Sequence, residues 1–380
     1  MCLALGTASA LGIARFGYGL LLPSMRSDLH WSLAQAGSMT TANGIGYLAG
    51  AGWAAIGTRR WTATTTFRLG MLFTVVALAA TAASSAYPAL LAARFAAGLS
   101  GALVFVSGGV IASRKAAAAG STAPILLYFA GAGLGIVASG ASLPVLMERF
   151  PHQWPLAWIG LAAFAALAAA VSWTAARSDE PSPHERTGRH AVLRLWRTAT
   201  AYLLFGCGYI VYITFLSATL TDRQTPPWQV AALWVLLGAG VMAAPWVWSR
   251  PIAIWPPALT LTVLLALLAG ASILALVSSW PAVLAISVLT YGVSFMTVPA
   301  AVTALIRART RPEDWMPTLA NFTMLFALAQ TISPWVAGAV ADSTSAGATL
   351  VWTAALCSAA ALFAATEKSP AENLPGTRAE

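Results

Sequence analysis

The sequence predicts an all-α membrane protein of about twelve transmembrane helices, arranged as two six-helix halves with both termini cytoplasmic. Three observations carry this: composition, the length of the apolar runs, and the placement of Lys and Arg. Of 380 residues, 58% are hydrophobic and 9% charged. Soluble domains hold roughly 25% charged residues. No single water-excluded core takes up so much apolar surface, whereas a bilayer does. The net charge of +9 comes from basic residues set between apolar runs. No basic patch is interleaved with aromatics, which argues against nucleic-acid binding.

A span needs roughly 20 apolar residues, at about 1.5 Å rise per residue through the hydrocarbon. Proline, glycine and charge clusters mark the boundaries. The first half then gives spans at 2–24, 34–57, 63–86, 88–112, 122–147 and 156–176. The first run lacks a basic segment ahead of it and is followed at once by others, unlike a removable signal peptide. Residues 177–197, containing SDEPSPHERTGRH, have the composition of an exposed cytoplasmic linker. The second half gives spans at 198–221, 229–249, 255–278, 281–306, 315–341 and 348–366. The expected organisation is thus a half at 1–176, a linker at 177–197, a half at 198–366 and a polar tail at 367–380. The least marked boundary is SRPIAIWPP (249–257), a proline-rich turn between spans eight and nine.

The 21 basic residues test the count. With the N-terminus inside, fifteen fall in cytoplasmic segments, among them Arg59, Arg60, Arg114, Lys115, Arg250 and Arg307. Arg26, Arg149 and Arg223 fall on the opposite side, and Arg15, Arg68 and Arg94 lie within spans. Fifteen against three is the bias of the positive-inside rule, and an odd span count in either half would scramble it. Tryptophans support the boundaries: Trp31, Trp61, Trp154, Trp196, Trp228 and Trp280 are among nine near span ends, where an amphipathic ring sits at the lipid–water interface. Cys2, Cys207 and Cys357 have no ligand-like spacing and read as packing residues.

Six spans, a linker and six spans suggest duplication. Gly17-Tyr18 in span one and Gly208-Tyr209 in span seven sit at comparable depth, and spans five and eleven both run small residues towards a late proline. A substrate site between two such halves, at mid-membrane, is the expectation.

Particular stretches now resemble the major facilitator superfamily, and within it the YbfB/YjiJ-type group. LGIARFGYGLLLPSM (11–25) followed by AQAGSMTTANGIGYLAGA (34–51) looks like that group's opening. Arg94-x-x-x-Gly98-x-x-x-Ala102 resembles the fourth-helix arginine motif. YFAGAGLGIVASG (128–140) is similar to the glycine-rich fifth-helix motif, without its usual Gly-Pro pair. AYLLFGCGYIVYITFLSA (201–218) and FTMLFALAQTISPWVAGAVAD (322–342) resemble the group's seventh and eleventh helices. The resemblance covers nearly the whole chain and implies a major facilitator fold, alternating-access transport and no cofactor. Two departures stand out. The superfamily's charged loop between helices two and three is reduced to IGTRRW (56–61), with no Asp, and its second copy to SRPIAIWPP. In the family that loop latches the cytoplasmic gate by charge pairing, so a different closure is implied here.

Polar groups at bilayer depth are expensive, about 2.5–3.5 kcal/mol for Arg on insertion scales, and are functional candidates by default. Arg15, near the middle of span one, offers a planar fork for a carboxylate or phosphate. The alternative is that it bonds polar groups of neighbouring helices. Arg94, about a turn and a half into span four, shares the functional reading, with snorkelling or helix packing as the alternative at that depth, while Arg68 is close enough to a span end to snorkel. Tyr18, Asn43, Tyr128, Tyr209, Tyr212, Asn321 and Gln330 supply hydrogen-bonding edges, either to one central cavity or as helix–helix glue. Gly46, Gly50, Gly98, Gly131, Gly135 and Pro334 are read as close packing or gating positions; no strand precedes the glycines and no GK[ST] follows, so they are not phosphate loops. All twelve carboxylates lie in loops, tails or span ends, and all four histidines outside the spans. A catalytic or metal centre at bilayer depth is therefore not expected, nor is a buried carboxylate as proton carrier.

The expected function is secondary transport of a small anionic or amphipathic solute, driven by an ion or proton gradient. Proton coupling would run through solute protonation or an end carboxylate such as Asp342. A multidrug-type exporter of the same fold, or a transport-dead sensor, are the alternatives. The expected setting is a bacterial inner membrane, multi-pass, as a monomer in the lipid bilayer.

Overall fold

The computed structural model describes residues 2–57, 61–120, 123–176, 193–311 and 314–367, and every regular element among them is helical. Most of the expected linker, the tail beyond Glu367 and the core of IGTRRW lie outside the described residues, together with Arg59 and Arg60. Among the described residues there are twelve long helices. The first six are α1 (Ala4–Asp28), α2 (Leu33–Gly57), α3 (Ala63–Ala82), α4 (Tyr87–Ala119), α5 (Ala123–Arg149) and α6 (Trp154–Ser172). The second six are α7 (Trp196–Asp222), α8 (Pro227–Ile254), α9 (Pro257–Val277), α10 (Pro281–Arg309), α11 (Trp315–Asp342) and α12 (Ala348–Ala365).

Among the described residues, eleven helices are long and apolar enough to cross a membrane. The remaining one, α2, is diluted by Gln35, Ser38, Thr40, Thr41 and Asn43. Val76, Leu167, Trp246, Val277 and Leu362 are each more than 60% exposed, a surface that lipid and not water covers. By contrast, 94% of the apolar window of α1 and 83% of that of α7 is buried. These two helices form the axis, and they pack against each other where the halves meet.

Several boundaries differ from the sequence reading. Ser249–Ile254 continues α8 as helix, with Pro251 inside it, so only Trp255 and Pro256 separate α8 from α9. A proline removes one hydrogen bond of the ladder and kinks the helix without having to end it. α4 runs past 112 to Ala119, which places Arg114 and Lys115 on helix. α10 breaks at Met296 and Thr297, just before Pro299. Within α1, Ala8–Phe16 is π-helical, a wide-turn geometry that is rare and concentrated at functional sites.

The glycines explain how closely the helices approach. A Cβ on Gly46 would strike the carbonyl of Phe95, on Gly50 that of Leu99, and on Gly98 that of Asn43, so α2 and α4 lie backbone to backbone. Gly131 and Gly135 do the same against the carbonyls of Ala4 and Ala8, joining α5 to α1. All five sit within the first half. The contacts between halves use glycines that the sequence reading did not single out. Gly19 of α1 rests on the Ile213 carbonyl of α7, and Gly338 of α11 on the Leu33 carbonyl of α2. Gly133 of α5 and Gly238 of α8 face each other's carbonyls, which a Cβ would meet at 2.6 and 2.7 Å. Pro334 belongs to this set, because its carbonyl lies against Gly37.

One end of the bundle is closed by polar contacts between the halves. The Asp342 carboxylate at the end of α11 accepts from the backbone N–H groups of Leu33 (2.6 Å) and Ala34 (2.9 Å), capping α2. Arg26 and Asp222 pair at 3.9 Å between half-exposed side chains. Within the first half, at the same end, Asp28 accepts from Trp154 Nε1 at 2.8 Å and meets His152 at 3.3 Å. Trp154, held by Asp28, and Trp31, edge-on to Tyr87 at 5.6 Å, are buried and not part of the lipid-interface belt, whereas Trp196, Trp228 and Trp280 are exposed as expected. At the other end Glu367, the first residue of the expected tail, is held by Thr198 (2.9 Å) and Arg309 (3.6 Å).

Candidate functional site

Arg15 projects from the π-helical stretch of α1 and is 7% exposed. Its Nη2 donates to Gln330 Oε1 on α11 at 2.5 Å. Tyr209 of α7 donates its hydroxyl to that same oxygen, also at 2.5 Å. Tyr47 of α2 lies beneath the guanidinium, 5.1 Å from ring centroid to Cζ, a cation–π distance. Four helices from both halves therefore converge on one amide oxygen and one cation. Arg15 makes no ion pair among the described residues. Arg15 Nε and Gln330 Nε2 are buried and have no hydrogen-bond partner among them.

Below this junction is an aromatic stack. Tyr209 lies nearly parallel to Phe205 (5.0 Å), Phe326 (5.4 Å) and Phe295 (6.0 Å), and Tyr202 stacks on Phe326 at 4.9 Å. Phe16, next to Arg15, meets Phe295 edge-on at 5.9 Å across the halves. Such offset and edge contacts favour a fixed ring arrangement, which holds the Tyr209 hydroxyl in place.

The remaining candidates do not join this set. Arg94 is 1% exposed and is sandwiched inside the first half, 5.0 Å from the ring of Tyr18 and 5.2 Å from that of Trp158. Its Nε and Nη1 have no partner among the described residues. Asn43 donates to the Arg94 carbonyl at 3.2 Å, and the Tyr18 hydroxyl to the Ala36 carbonyl at 2.7 Å. Arg94, Tyr18 and Asn43 thus form a second cluster that ties α1, α2, α4 and α6. Tyr128 donates to the Val104 carbonyl at 2.7 Å, a contact between α5 and α4. Tyr212 stacks face to face on Tyr291 at 3.8 Å and meets Ser287 at 3.0 Å, within the second half. Asn321 is half-buried, nine residues before Gln330 on α11 and so about 13 Å along the axis. Two clusters thus form, Arg15–Gln330–Tyr209 between the halves and Arg94–Tyr18–Asn43 within the first, while Tyr128, Tyr212 and Asn321 each stand apart from both. Arg68 donates to the Trp173 carbonyl at 2.7 and 3.1 Å, tying α3 to the end of α6.

Sequence reasoning missed Tyr47, Trp158 and the rings around Tyr209. Tyr47 had a signal, since it lies one turn beyond Asn43 on α2. The others read as ordinary apolar positions. A cavity of about 450 Å³ between α1, α5, α7 and α8, near Asp28, is lined by Ser24, Glu148, His152, Thr221 and Gln224 among others.

Among the described residues, twelve long helices in two sets of six, eleven of them long and apolar enough to cross a membrane, with polar side chains meeting between the sets, define a polytopic membrane protein, and the family match makes it a transporter. The chain belongs to the family described as "Uncharacterised MFS-type transporter YbfB", whose model matches residues 7–367. No curated protein matches the sequence. Among solved structures, the chain is similar to the nucleoside transporter NupG (TM-score 0.74, 13% identity, covering 96% of this chain and 97% of that one). A point mutant of NupG gives 0.75, at 13% identity and 97% and 100% coverage. A bacterial homologue of the human lysosomal transporter Spinster, inward-facing and unoccupied, gives 0.67 at 14% identity, covering 96% of this chain and 94% of that one. At such identities the likeness establishes the fold alone.

Proposed function

We propose that the protein is a secondary active transporter that moves a small organic anion between its two halves by alternating access. The observation that carries this is the Arg15–Gln330–Tyr209 junction: a buried guanidinium at the meeting of the halves, with no acidic partner among the described residues. A cation held there favours a negatively charged solute, since the site supplies charge that nothing else on it balances. Around it, the stacked rings of Phe205, Tyr209, Phe295 and Phe326 suit an apolar or planar body, so the solute is amphipathic.

An ion gradient, the proton first, drives transport. With no carboxylate at bilayer depth, coupling runs through protonation of the solute or through Asp342, whose carboxylate bridges α11 to α2. The positive-inside bias supports cytoplasmic termini and a bacterial inner membrane. The halves at 1–176 and 198–366 work as a monomer. Arg15, Tyr209 and Gln330 contact solute; Arg94, Tyr18, Asn43, Tyr128, Tyr212 and Asn321 shape and support the path.

Flux into proteoliposomes tests this, with organic carboxylates, a sulfonate, a nucleoside and a lipophilic cation supplied at imposed pH gradients. The nucleoside enters because NupG is a nucleoside transporter. Gradient-dependent anion flux, lost on Arg15→Ala, is the expected result; unchanged flux in that variant refutes it. The aromatic stack alone favours a second reading, a multidrug-type exporter, which predicts lipophilic-cation flux insensitive to Arg15.

A further inference from the structure

We propose that the side-chain amide of Gln330 holds the place of a carboxylate on Arg15, and that the transported solute binds by displacing it. This rests on Arg15 as the anion site and specifies the head group and the mode of entry.

The fork of Arg15 carries the argument. Nε–H and one N–H of Nη2 point in parallel from the same edge of the guanidinium, the spacing that a planar carboxylate matches with its two oxygens. In this structure a single amide oxygen takes Nη2 at 2.5 Å. Nε beside it is buried and unpartnered among the described residues, and so is the amide's own Nε2. The amide therefore fills half of a two-donor edge and leaves a donor unused at each end. A carboxylate would take both donors of that edge and bring the missing negative charge. The Tyr209 hydroxyl, which already converges on this point, is a donor suited to its outer lone pairs. Tyr47 covers a face of the guanidinium at 5.1 Å, so a ligand approaches in the plane of the fork. One guanidinium also matches a monoanion better than a phosphate dianion. Arg94, the other buried arginine of the first half, lies between Tyr18 and Trp158.

The consequence is mechanical. Arg15 stands on α1 and Gln330 on α11, so their hydrogen bond ties one half to the other. A solute that takes the fork breaks that tie, and occupancy is thereby linked to separation of α1 from α11.

The test uses the purified full-length chain and acetate as the smallest carboxylate, with chloride as charge control and acetamide as shape control. Thermal unfolding is followed in the wild type, Gln330→Ala, Gln330→Met and Gln330→Glu. Removing the competing oxygen in the Ala and Met variants should tighten acetate binding about tenfold or more, the scale of one charge-assisted hydrogen bond. Gln330→Glu supplies its own carboxylate, so it should melt higher than the wild type and lose the acetate response. Acetate binding that is weaker, unchanged or absent in both the Ala and Met variants overturns the proposal, as does a Glu variant that responds like the wild type. Arg15→Met separates the two readings. If it abolishes organic-anion flux while the Gln330 variants fail these expectations, the anion site stands and the placeholder falls. If flux survives Arg15→Met, both fall.

Discussion

Replacing Arg15 by Met should abolish anion transport while leaving the fold as stable as before, or more so. The residue loses one charge-assisted hydrogen bond to Gln330, about 1.5–3 kcal/mol. It also loses the cation–π contact on Tyr47, about 0.5–2 kcal/mol. Against these stand two reliefs. An unpaired cation no longer sits at mid-membrane, worth about 2.5–3.5 kcal/mol. The buried, unpartnered Nε disappears, worth about 1–3 kcal/mol. The losses come to roughly 2–5 kcal/mol and the reliefs to roughly 3.5–6.5 kcal/mol, so the net runs from about 1.5 kcal/mol of destabilisation to about 4.5 kcal/mol of stabilisation, centred on about 1.5 kcal/mol of stabilisation. Methionine is unbranched and follows much of the path of the arginine stem, and Gln330 keeps the Tyr209 hydroxyl. Thermal unfolding of the purified protein, paired with proteoliposome flux, measures both halves of the prediction. A marked fall in melting temperature with flux intact would show that Arg15 is helix–helix glue, and would refute the reasoning.

Tyr209→Phe keeps the stack on Phe205 and Phe326 and removes one hydroxyl; stability should change by less than about 1 kcal/mol, with solute affinity several-fold weaker in flux titrations. Gly46→Val should prevent accumulation of folded protein, because its Cβ overlaps the Phe95 carbonyl, whereas Gly52→Ala meets nothing within 4 Å and should gain up to about 1 kcal/mol of helix propensity; size-exclusion profiles and melting curves distinguish them. Asp342→Ala removes a cap shared between halves, worth about 0.5–2 kcal/mol, and should shift the population towards opening at that end. Spin labels at His152 and Gln224, both lining the cavity near Asp28, should then report longer distances, and unchanged distances would count against the latch.

The departures from the sequence reading share one cause. Hydropathy and charge bias are sums over residues, so they register the apolar helices however these later pack, and even α2, too polar to pass on hydropathy, is marked by the apolar runs and the charge count on either side of it. The π-helical turn at Ala8–Phe16 is invisible to such sums, yet it sets the direction in which Arg15 leaves α1. Trp31 and Trp154 have interfacial chemistry but are buried, Trp31 edge-on against Tyr87 and Trp154 on Asp28, and composition cannot tell a ring facing lipid from one facing a neighbouring helix.

By itself the sequence determined the membrane class, the twelve long helices and the identity of the costly groups, because these follow from the transfer energy of residues taken in order, and the family, because its motifs are local. Gly46, Gly98 and Gly135 could be read as packing positions because small residues one turn apart let helix backbones approach closely. Which polar groups meet was decided by tertiary structure alone. Arg15 and Gln330 are 315 positions apart, and no local rule distinguishes that pair from Arg15 with Asn321 or Tyr128. Helix packing set Arg94 inside one half and Arg15 between the two, and so separated residues that look alike in sequence.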